Sequence, residues 1–148
     1  MQIRIVAVGR VRDPAVGALC AEQLKRLQPY HRVEVVEVRT GSVDEEAAAV
    51  LRAVGGGVGE QLWLLERTGE EFASEELAER FERLATGGIS RLVFAIAGTY
   101  GAGEALWARA DVRWSLSRLT FLHEWTRAIV LEQLYRAAKI ARKEPYHH

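Results

Sequence analysis

The chain has 148 residues, of which 49% are hydrophobic and 27% are charged, as in an ordinary globular domain. This length predicts a single domain, residues 1–148, with enough apolar material for a sizeable core. No apolar run is long enough to span a bilayer, and residues 3–8 lack the pattern of a signal peptide. Cys20 is the only cysteine, which excludes an intrachain disulfide and favours a reducing, cytoplasmic compartment.

The net charge is zero, but the charged residues are unevenly distributed. Residues 41–90 carry eleven acidic and four basic side chains, whereas residues 109–148 carry eight basic and four acidic ones. A basic end of this kind can bind phosphate groups. A solvated helix face with internal ion pairs explains the same pattern equally well.

The first half of the chain alternates short β-rich runs with helical patterns. Residues 3–8 predict a strand, and Asp13-Pro14 predicts the cap and first residue of a helix that ends near residue 27. Residues 33–38 alternate apolar and charged side chains, which predicts a second strand with one wetter face. A second helix is predicted from Asp44 to about residue 54, where a run of glycines ends it.

The second half continues the alternation. Residues 61–65 predict a strand, and Ser74 predicts the cap of a helix with acidic residues in its first turn. The continuous apolar run at residues 92–96 is typical of a central strand buried on both faces. The remaining elements are a short helix after Glu104, a strand at residues 112–116 and a helix from about residue 121 to 142. The alternation predicts an α/β domain with a mostly parallel sheet flanked by helices.

Residues 97–104 (AGTYGAGE) follow the strand that is predicted to be most buried. Open α/β sheets bind ligands beyond the carboxyl ends of their strands, and glycine allows the backbone to approach a ligand closely. The glycine order differs from the dinucleotide fingerprint, and Glu104 at the next helix start would repel phosphate. The segment therefore favours a ligand without phosphate, such as a nucleoside. A tight turn that requires glycine is the alternative, and it is the better explanation of this segment taken alone.

The final helix offers two interpretations of its charged residues. Glu132 and Arg136 lie four positions apart, in the order that favours an exposed ion pair. The alternative interpretation brings both residues, with His123, close to a substrate base. His123 is more than two helical turns from Glu132, so a shared site depends on the tertiary fold. Thr120 is the predicted cap of this helix.

The chain ends in Pro145-Tyr146-His147-His148. An ordinary tail frays, whereas these aromatic and imidazole rings can stack on a nucleobase or hydrogen-bond to it. Adjacent histidines are poorly placed to chelate one ion, and no spacing of His, Cys and carboxylates matches a structural zinc site. We therefore expect no bound metal.

Three segments of the second half form a distinctive set. They read W-S-L-S-x-L-T-x-x-H from Trp114, R-x-x-x-x-E-Q-L-Y-R-A from Arg127 and P-Y-H-H from Pro145. Together they resemble the RlmH family, small SPOUT-class methyltransferases that act on large-subunit (23S) ribosomal RNA. V-A-V-G ending at Gly9 and the length also agree, so the resemblance extends over the whole chain.

This resemblance implies a C-terminal trefoil knot, a homodimer, and S-adenosylmethionine as cofactor. It also implies methylation of N3 of a pseudouridine in 23S rRNA on the assembled ribosome. The cofactor contacts that it implies are Leu65, Gly98, Ser117, Arg118, Leu119, Thr120, Phe121 and Leu122. The catalytic candidates are His123, Glu132 and Arg136, and the substrate-binding candidates are Tyr146, His147 and His148.

The implied reaction requires loss of the N3 proton, because a neutral imide nitrogen is a poor nucleophile. Arg136 suits the stabilisation of the resulting anion, and Glu132 or a histidine suits proton removal. A second subunit would bring its basic face or tail to the cofactor of the first, while the acidic residues 41–90 are not expected to face RNA. Relatives usually carry G-G-P-E-G at residues 97–101 and often proline at position 122.

Two alternatives remain at the level of sequence. One is a SPOUT methyltransferase that acts on transfer RNA, against which the P-Y-H-H tail argues. The other is a ribosome- or RNA-binding SPOUT module that has lost catalysis, which the changed glycine segment would permit. A generic nucleotide-binding domain is disfavoured because the phosphate fingerprint is missing.

Overall fold

The computed structural model describes residues 1–147, and within them five strands alternate with five helices. The elements are β1 (Gln2–Val8), α1 (Pro14–Leu27), β2 (Arg32–Val38), α2 (Val43–Val54), β3 (Glu60–Glu71), α3 (Ser74–Thr86), β4 (Arg91–Ile96), α4 (Glu104–Arg109), β5 (Val112–Ser115) and α5 (His123–Ala141). The strands pair in parallel in the order β2-β1-β4-β3-β5. The predicted α/β fold with a parallel sheet is confirmed, and the trefoil knot stays a prediction.

Local hydrogen bonds explain where the first two helices begin. The Asp13 carboxylate accepts a hydrogen bond from the Ala15 amide at 2.9 Å, and Pro14 is the first helical residue, as predicted. Ser42 caps α2 in a capping box, in which Ser42 and Glu45 each accept a hydrogen bond from the other's amide at 3.1 Å. The helix begins at Val43 for this reason, one residue earlier than predicted.

Two predicted caps are wrong. Ser74 is the first residue of α3 rather than its cap, and its hydroxyl donates a hydrogen bond to Gln133 on α5 at 2.7 Å. The amide of Ala73 donates instead to the Glu76 carboxylate at 3.1 Å. Thr120 does not cap α5, since the preceding loop continues to Leu122 before the helix begins.

The third strand is longer than the predicted residues 61–65 because it continues past an irregularity. Leu65 and Glu70 both pair with Trp114, so residues 66–69 bulge out of the ladder between β3 and β5. The apolar pattern stops at the bulge, where charged residues begin, so no local pattern indicates that the strand continues. This bulge forms part of the wall of a cavity.

The sheet separates two apolar layers. On one side, α1, α3 and α5 cover a cluster centred on Trp63, Phe94 and Trp114. On the other side, α2 and α4 cover a second cluster that includes Val6 and Val93. Residues 92–96 of β4 are buried throughout, which confirms β4 as the predicted central strand. In residues 1–147, no helix is both long and apolar enough to cross a membrane.

Candidate active site

A cavity of about 590 Å³ opens where β4 and β5 end and β3 bulges. Three chain segments form most of its wall: residues 65–67 of the bulge, residues 96–102 after β4, and the loop between β5 and α5. All three strands run in the same direction, so their following segments meet at one edge of the sheet. A cavity therefore lies at the end of β4, where the sequence predicts a ligand site.

The glycine segment after β4 is a tight turn as well as a cavity wall. The Gly101 amide donates a hydrogen bond to the Gly98 carbonyl at 3.1 Å, and Gly101 has a φ of 97°. A Cβ atom on Gly98 would lie 2.8 Å from Oε1 of Glu46 and 3.1 Å from the Val8 side chain. A side chain at residue 98 would therefore displace the Glu46 carboxylate, which is held by a hydrogen bond from the Gly41 amide at 3.0 Å.

Hydrogen bonds fix the loop between β5 and α5. The buried Ser115 hydroxyl lies 2.9 Å from the carbonyl oxygen of Arg67 and 3.0 Å from that of Ser117, and can donate to either. The Ser117 hydroxyl accepts a hydrogen bond from the Leu119 amide at 3.1 Å. The cavity is lined by seven of the predicted cofactor residues, namely Leu65, Gly98, Ser117, Leu119, Thr120, Phe121 and Leu122. Arg118 is not among its lining residues.

His123, the first residue of α5, also lines the cavity. The neighbouring Glu124 carboxylate accepts hydrogen bonds from the amides of Asp13 and Arg12 at 3.1 and 2.5 Å. These two bonds, that from Asp13 most strongly, hold the pKa of Glu124 below its usual range. The start of α5 is thus tied to the loop between β1 and α1.

Arg127 makes a second tie one helical turn further on. Its guanidinium donates to the Glu37 carboxylate at 2.6 Å and to the Gly9 carbonyl at 3.1 Å, and only 6% of the residue is exposed. No role for this side chain was expected from the sequence. Arg127 shares the buried face of α5 with Val130 and Leu134. A charged residue at this position in an apolar stripe indicates a buried ion pair, and this pattern is visible in the sequence.

A separate cluster of polar side chains, here called the tail cluster, lies towards the end of α5. It consists of Glu75, Glu132, Arg136, Tyr146 and His147. The predicted ion pair forms, with Nη2 and Nε of Arg136 donating to Oε1 of Glu132 at 2.6 and 3.1 Å. Tyr146 donates to the same oxygen at 2.9 Å, and its ring lies 4.8 Å from the Arg136 guanidinium carbon. Nδ1 of His147 lies 3.1 Å from Nη1 of Arg136.

The surroundings of the tail cluster raise two of its pKa values. Hydrogen bonding to Glu132 raises the pKa of Arg136 above its already high ordinary value, so this guanidinium is always charged. Burial and the hydrogen bond to Glu132 both raise the pKa of Tyr146, which keeps its phenol protonated at neutral pH. The cluster therefore presents a permanent cation that is held by a carboxylate.

Helix α3 contributes to the tail cluster from the acidic part of the chain. Nε2 of His147 lies 2.6 Å from Oε1 of Glu75. Gln133 donates to the second Glu132 oxygen at 2.8 Å and in turn accepts the hydrogen bond from the Ser74 hydroxyl. Glu75 could not be identified from the sequence, because no local pattern links it to a residue 72 positions away.

The tail cluster and the cavity do not meet within one chain. His123 and Arg136 lie thirteen positions apart on α5, which corresponds to roughly 20 Å along a helix. His123 thus belongs to the cavity, while Glu132 and Arg136 belong to the tail cluster. His148 lies outside the described residues. The catalytic and substrate-binding roles of all these residues stay predictions.

No group of three or more His, Cys, Asp or Glu side chains in residues 1–147 is arranged to hold a metal ion. The side chains at the two sites include carboxylates, imidazoles, phenols and guanidinium groups. Such groups can bind, orient and exchange protons.

Known proteins are similar to this chain over nearly its whole length. A family model described as "Predicted SPOUT methyltransferase" matches residues 1–147. The chain is 44% identical to Ribosomal RNA large subunit methyltransferase H of Pelotomaculum thermopropionicum, over 99% of this chain and 98% of that protein. It is 41% identical to the protein of the same name from Gloeobacter violaceus, over 100% and 99%. The corresponding protein of Deinococcus radiodurans is 37% identical over 99% of each chain.

The parallel α/β sheet, the cavity at its carboxyl edge and these full-length matches define a methyltransferase of the α/β class. The chain belongs to the SPOUT methyltransferase family. The resemblance to the RlmH family that the C-terminal motifs indicated is confirmed.

Proposed function

We propose that this protein uses S-adenosylmethionine to methylate N3 of a pseudouridine in the large-subunit (23S) ribosomal RNA of the assembled ribosome. The observation that carries the proposal is the cavity at the carboxyl edge of the sheet, whose walls include seven residues that the RlmH resemblance implies as cofactor contacts. Full-length relatives named as large-subunit rRNA methyltransferases support the choice of substrate. A protein with this substrate works where ribosomes are, in the cytoplasm.

The cavity suits S-adenosylmethionine in size and chemistry. Its volume of about 590 Å³ falls within the usual range for small-molecule sites, about 300–1,000 Å³. Leu65, Leu116 and Phe121 supply apolar surface for a purine ring, and the backbone of residues 117–122 supplies hydrogen-bonding groups for its edge. Glu66 and Arg67 of the bulge also line the cavity, and the Glu66 carboxylate suits ribose hydroxyls or an ammonium group. When bound, this cofactor supplies an electrophilic methyl group on a sulfonium sulfur.

The tail cluster performs the substrate side of the reaction. Three hydrogen bonds from Arg136 go to Glu132 and His147, and its remaining N–H groups are available to a uracil-like ring. A fixed cation of this kind stabilises the anion that forms when the N3 proton passes to a base, and His123 in the cavity wall is the candidate for that base. Glu132 holds the guanidinium in place, because its Oε1 already accepts from both Arg136 and Tyr146.

The active protein is a homodimer in which the tail cluster of one subunit faces the cavity of the other. Within one chain these sites are separated by roughly 20 Å of helix. Large apolar side chains also project into solvent beside the cavity, among them Leu122, which is 68% exposed, and Trp125, which is 53% exposed. An apolar surface of this kind normally marks an interface. Sedimentation as a monomer at micromolar concentration would contradict the composite site.

The decisive experiment measures transfer of a labelled methyl group to intact ribosomes, separated subunits, naked rRNA and transfer RNA. We expect transfer to intact ribosomes, with the label on a single pseudouridine.

Arg136→Ala should lower kcat by about 10²- to 10³-fold, as expected when a group that stabilises developing charge is removed. Its cofactor affinity should be unchanged, because Arg136 does not line the cavity.

The matched control is Arg52→Ala, which removes an exposed arginine on α2. It should retain the kcat of the unsubstituted protein. Near-normal turnover by Arg136→Ala would overturn the role of Arg136. Preferential transfer to transfer RNA would overturn the proposed substrate, and a protein that binds ribosomes but not S-adenosylmethionine would be the non-catalytic module.

A further inference from the structure

We infer that Glu75, in the first turn of α3, is a positioning residue that holds the tail histidine, His147, in a single neutral tautomer against Arg136. Nothing in the sequence motifs points to Glu75, which belongs to the acidic part of the chain. The consequence for catalysis rests on the proposed function. The tautomer itself does not, so it can be tested independently.

The hydrogen-bond donors determine the tautomer. A guanidinium can only donate, so Nδ1 of His147, 3.1 Å from Nη1 of Arg136, must be the accepting nitrogen. The ring proton is then on Nε2, where it is donated to Oε1 of Glu75 at 2.6 Å. A carboxylate that binds one ring nitrogen fixes the orientation and tautomer of an imidazole in the same way at metal and catalytic sites.

The Glu75 contact is a geometric constraint rather than a source of stability. The Glu75 side chain is 63% exposed, and exposed pairs contribute little to folding. The hydrogen bond from His147 holds the pKa of Glu75 below its ordinary value, so the carboxylate is charged at neutral pH. Removing it should leave the fold intact and release the imidazole ring.

This arrangement also decides what His147 does. One ring nitrogen accepts from Arg136 and the other donates to Glu75, so neither can take a proton from a substrate. His147 therefore positions the guanidinium and is not the base in this docked state of the tail. The orientation of Arg136 is set from two sides, by Glu132 on its own helix and by His147 of the tail, which Glu75 of α3 holds in place.

The tautomer is tested by ¹⁵N NMR of the imidazole rings in the full-length free protein, at a pH above the ordinary range of histidine titration. The His147 signals are assigned by comparison with His147→Gln. We expect protonation at Nε2 in the unsubstituted protein and a mixture of both tautomers in Glu75→Ala. Glu75→Gln keeps a neutral acceptor and should retain most of the Nε2–H form. A His147 ring protonated at Nδ1, or a spectrum unchanged in Glu75→Ala, would overturn the inference.

The kcat for ribosome methylation then distinguishes a positioning role of Glu75 from a simple effect of its negative charge. Glu75→Ala should lower kcat by about tenfold, an effect typical of a misplaced group, with partial recovery in Glu75→Gln. The KM for S-adenosylmethionine should not change. The matched control is Glu79→Gln, which removes an exposed carboxylate one turn further along α3 and makes the same change in net charge as Glu75→Ala. Equal kcat values for Glu75→Ala and Glu79→Gln would overturn the catalytic part of the inference.

These two readouts keep the inference distinct from the proposed function. If the unsubstituted protein methylates no RNA, the proposed function fails and the NMR spectra alone decide the tautomer. If it methylates ribosomes and Glu75→Ala changes neither tautomer nor kcat, the inference fails and the proposed function stands.

Discussion

The cavity and the tail cluster differ in which parts of the chain form them. The cavity wall consists mainly of backbone segments that follow three parallel strands, shaped by a glycine turn, a strand bulge and a loop held by Ser115. The tail cluster consists of side chains from α3, α5 and the C-terminal tail that are joined by hydrogen bonds. One site depends on the path of the chain, and the other depends on the identity of a few polar groups.

This difference predicts that the two sites respond to different substitutions. Changes that displace the backbone near β4 should affect cofactor affinity first. Changes that remove a polar group from the tail cluster should affect turnover and leave the cofactor site intact.

Removal of residues 146–148 should abolish methyl transfer and leave the affinity for S-adenosylmethionine unchanged. The truncation deletes the Tyr146 phenol and the His147 ring, which contact Glu132 and Arg136, whereas neither residue lines the cavity. Calorimetry measures the cofactor affinity, and labelled methyl transfer to ribosomes measures the activity. A loss of cofactor affinity in the truncated protein would show that the two sites are not separate.

Gly98→Ala should weaken cofactor binding by about tenfold or more and lower the free energy of unfolding by about 1–3 kcal/mol, the usual cost of overpacking. The added Cβ would lie 2.8 Å from Oε1 of Glu46, so either this carboxylate or the turn that forms the cavity wall must shift. Calorimetry and urea denaturation measure the two effects. Gly56→Ala is the matched control, because a Cβ there meets nothing within 4 Å.

A second variant isolates the cause of the Gly98→Ala effect. If the Glu46 carboxylate is the obstacle, Glu46→Ala combined with Gly98→Ala should recover part of the cofactor affinity lost in Gly98→Ala. The two residues are in contact, so a non-additive double-mutant cycle is expected. Strict additivity would show that the substitution acts through another contact.

Arg127→Met should lower the free energy of unfolding by about 2 kcal/mol, in the range found when a buried charged hydrogen bond is lost. The change leaves the Gly9 carbonyl without this donor and Glu37 without its partner. Methionine keeps the apolar stem, so the loss reports the polar contacts. Urea denaturation measures the effect, with the exposed Arg52→Met as control. A loss no larger than that of the control would mean that packing alone holds the start of α5.

The sequence predicted the features that depend on local periodicity. Alternation of β-rich and helical patterns predicted the parallel α/β fold, and the continuous apolar run at 92–96 predicted the central strand. The rule for strand ends placed a ligand site after β4, where the cavity lies. The spacing of Glu132 and Arg136 predicted their ion pair, because residues four apart share a helix face.

The features that sequence reasoning missed depend on contacts between distant parts of the chain. Glu75 and His147 meet only because α3 and α5 pack side by side on one face of the sheet. The bulge in β3 depends on its pairing with β5, which no pattern within β3 reveals. Thr120 resembles a helix cap locally, but the loop that contains it is committed to the cavity wall.

The smallest predicted effect concerns acid stability at the cavity end of α5. Backbone hydrogen bonds from Asp13 and Arg12 lower the pKa of Glu124 from its ordinary 4.5. A carboxylate whose pKa is depressed in the folded state stabilises the fold above its unfolded-state pKa, and this contribution is lost as the pH falls through the lower folded-state value. Glu124→Gln should therefore be slightly less stable than the unsubstituted protein at neutral pH, and the difference should shrink on acidification below about pH 4.5. Urea midpoints measured at intervals from about pH 7 to pH 3 test this, and a difference that stays constant with pH would mean that the charge on Glu124 does not anchor the helix start.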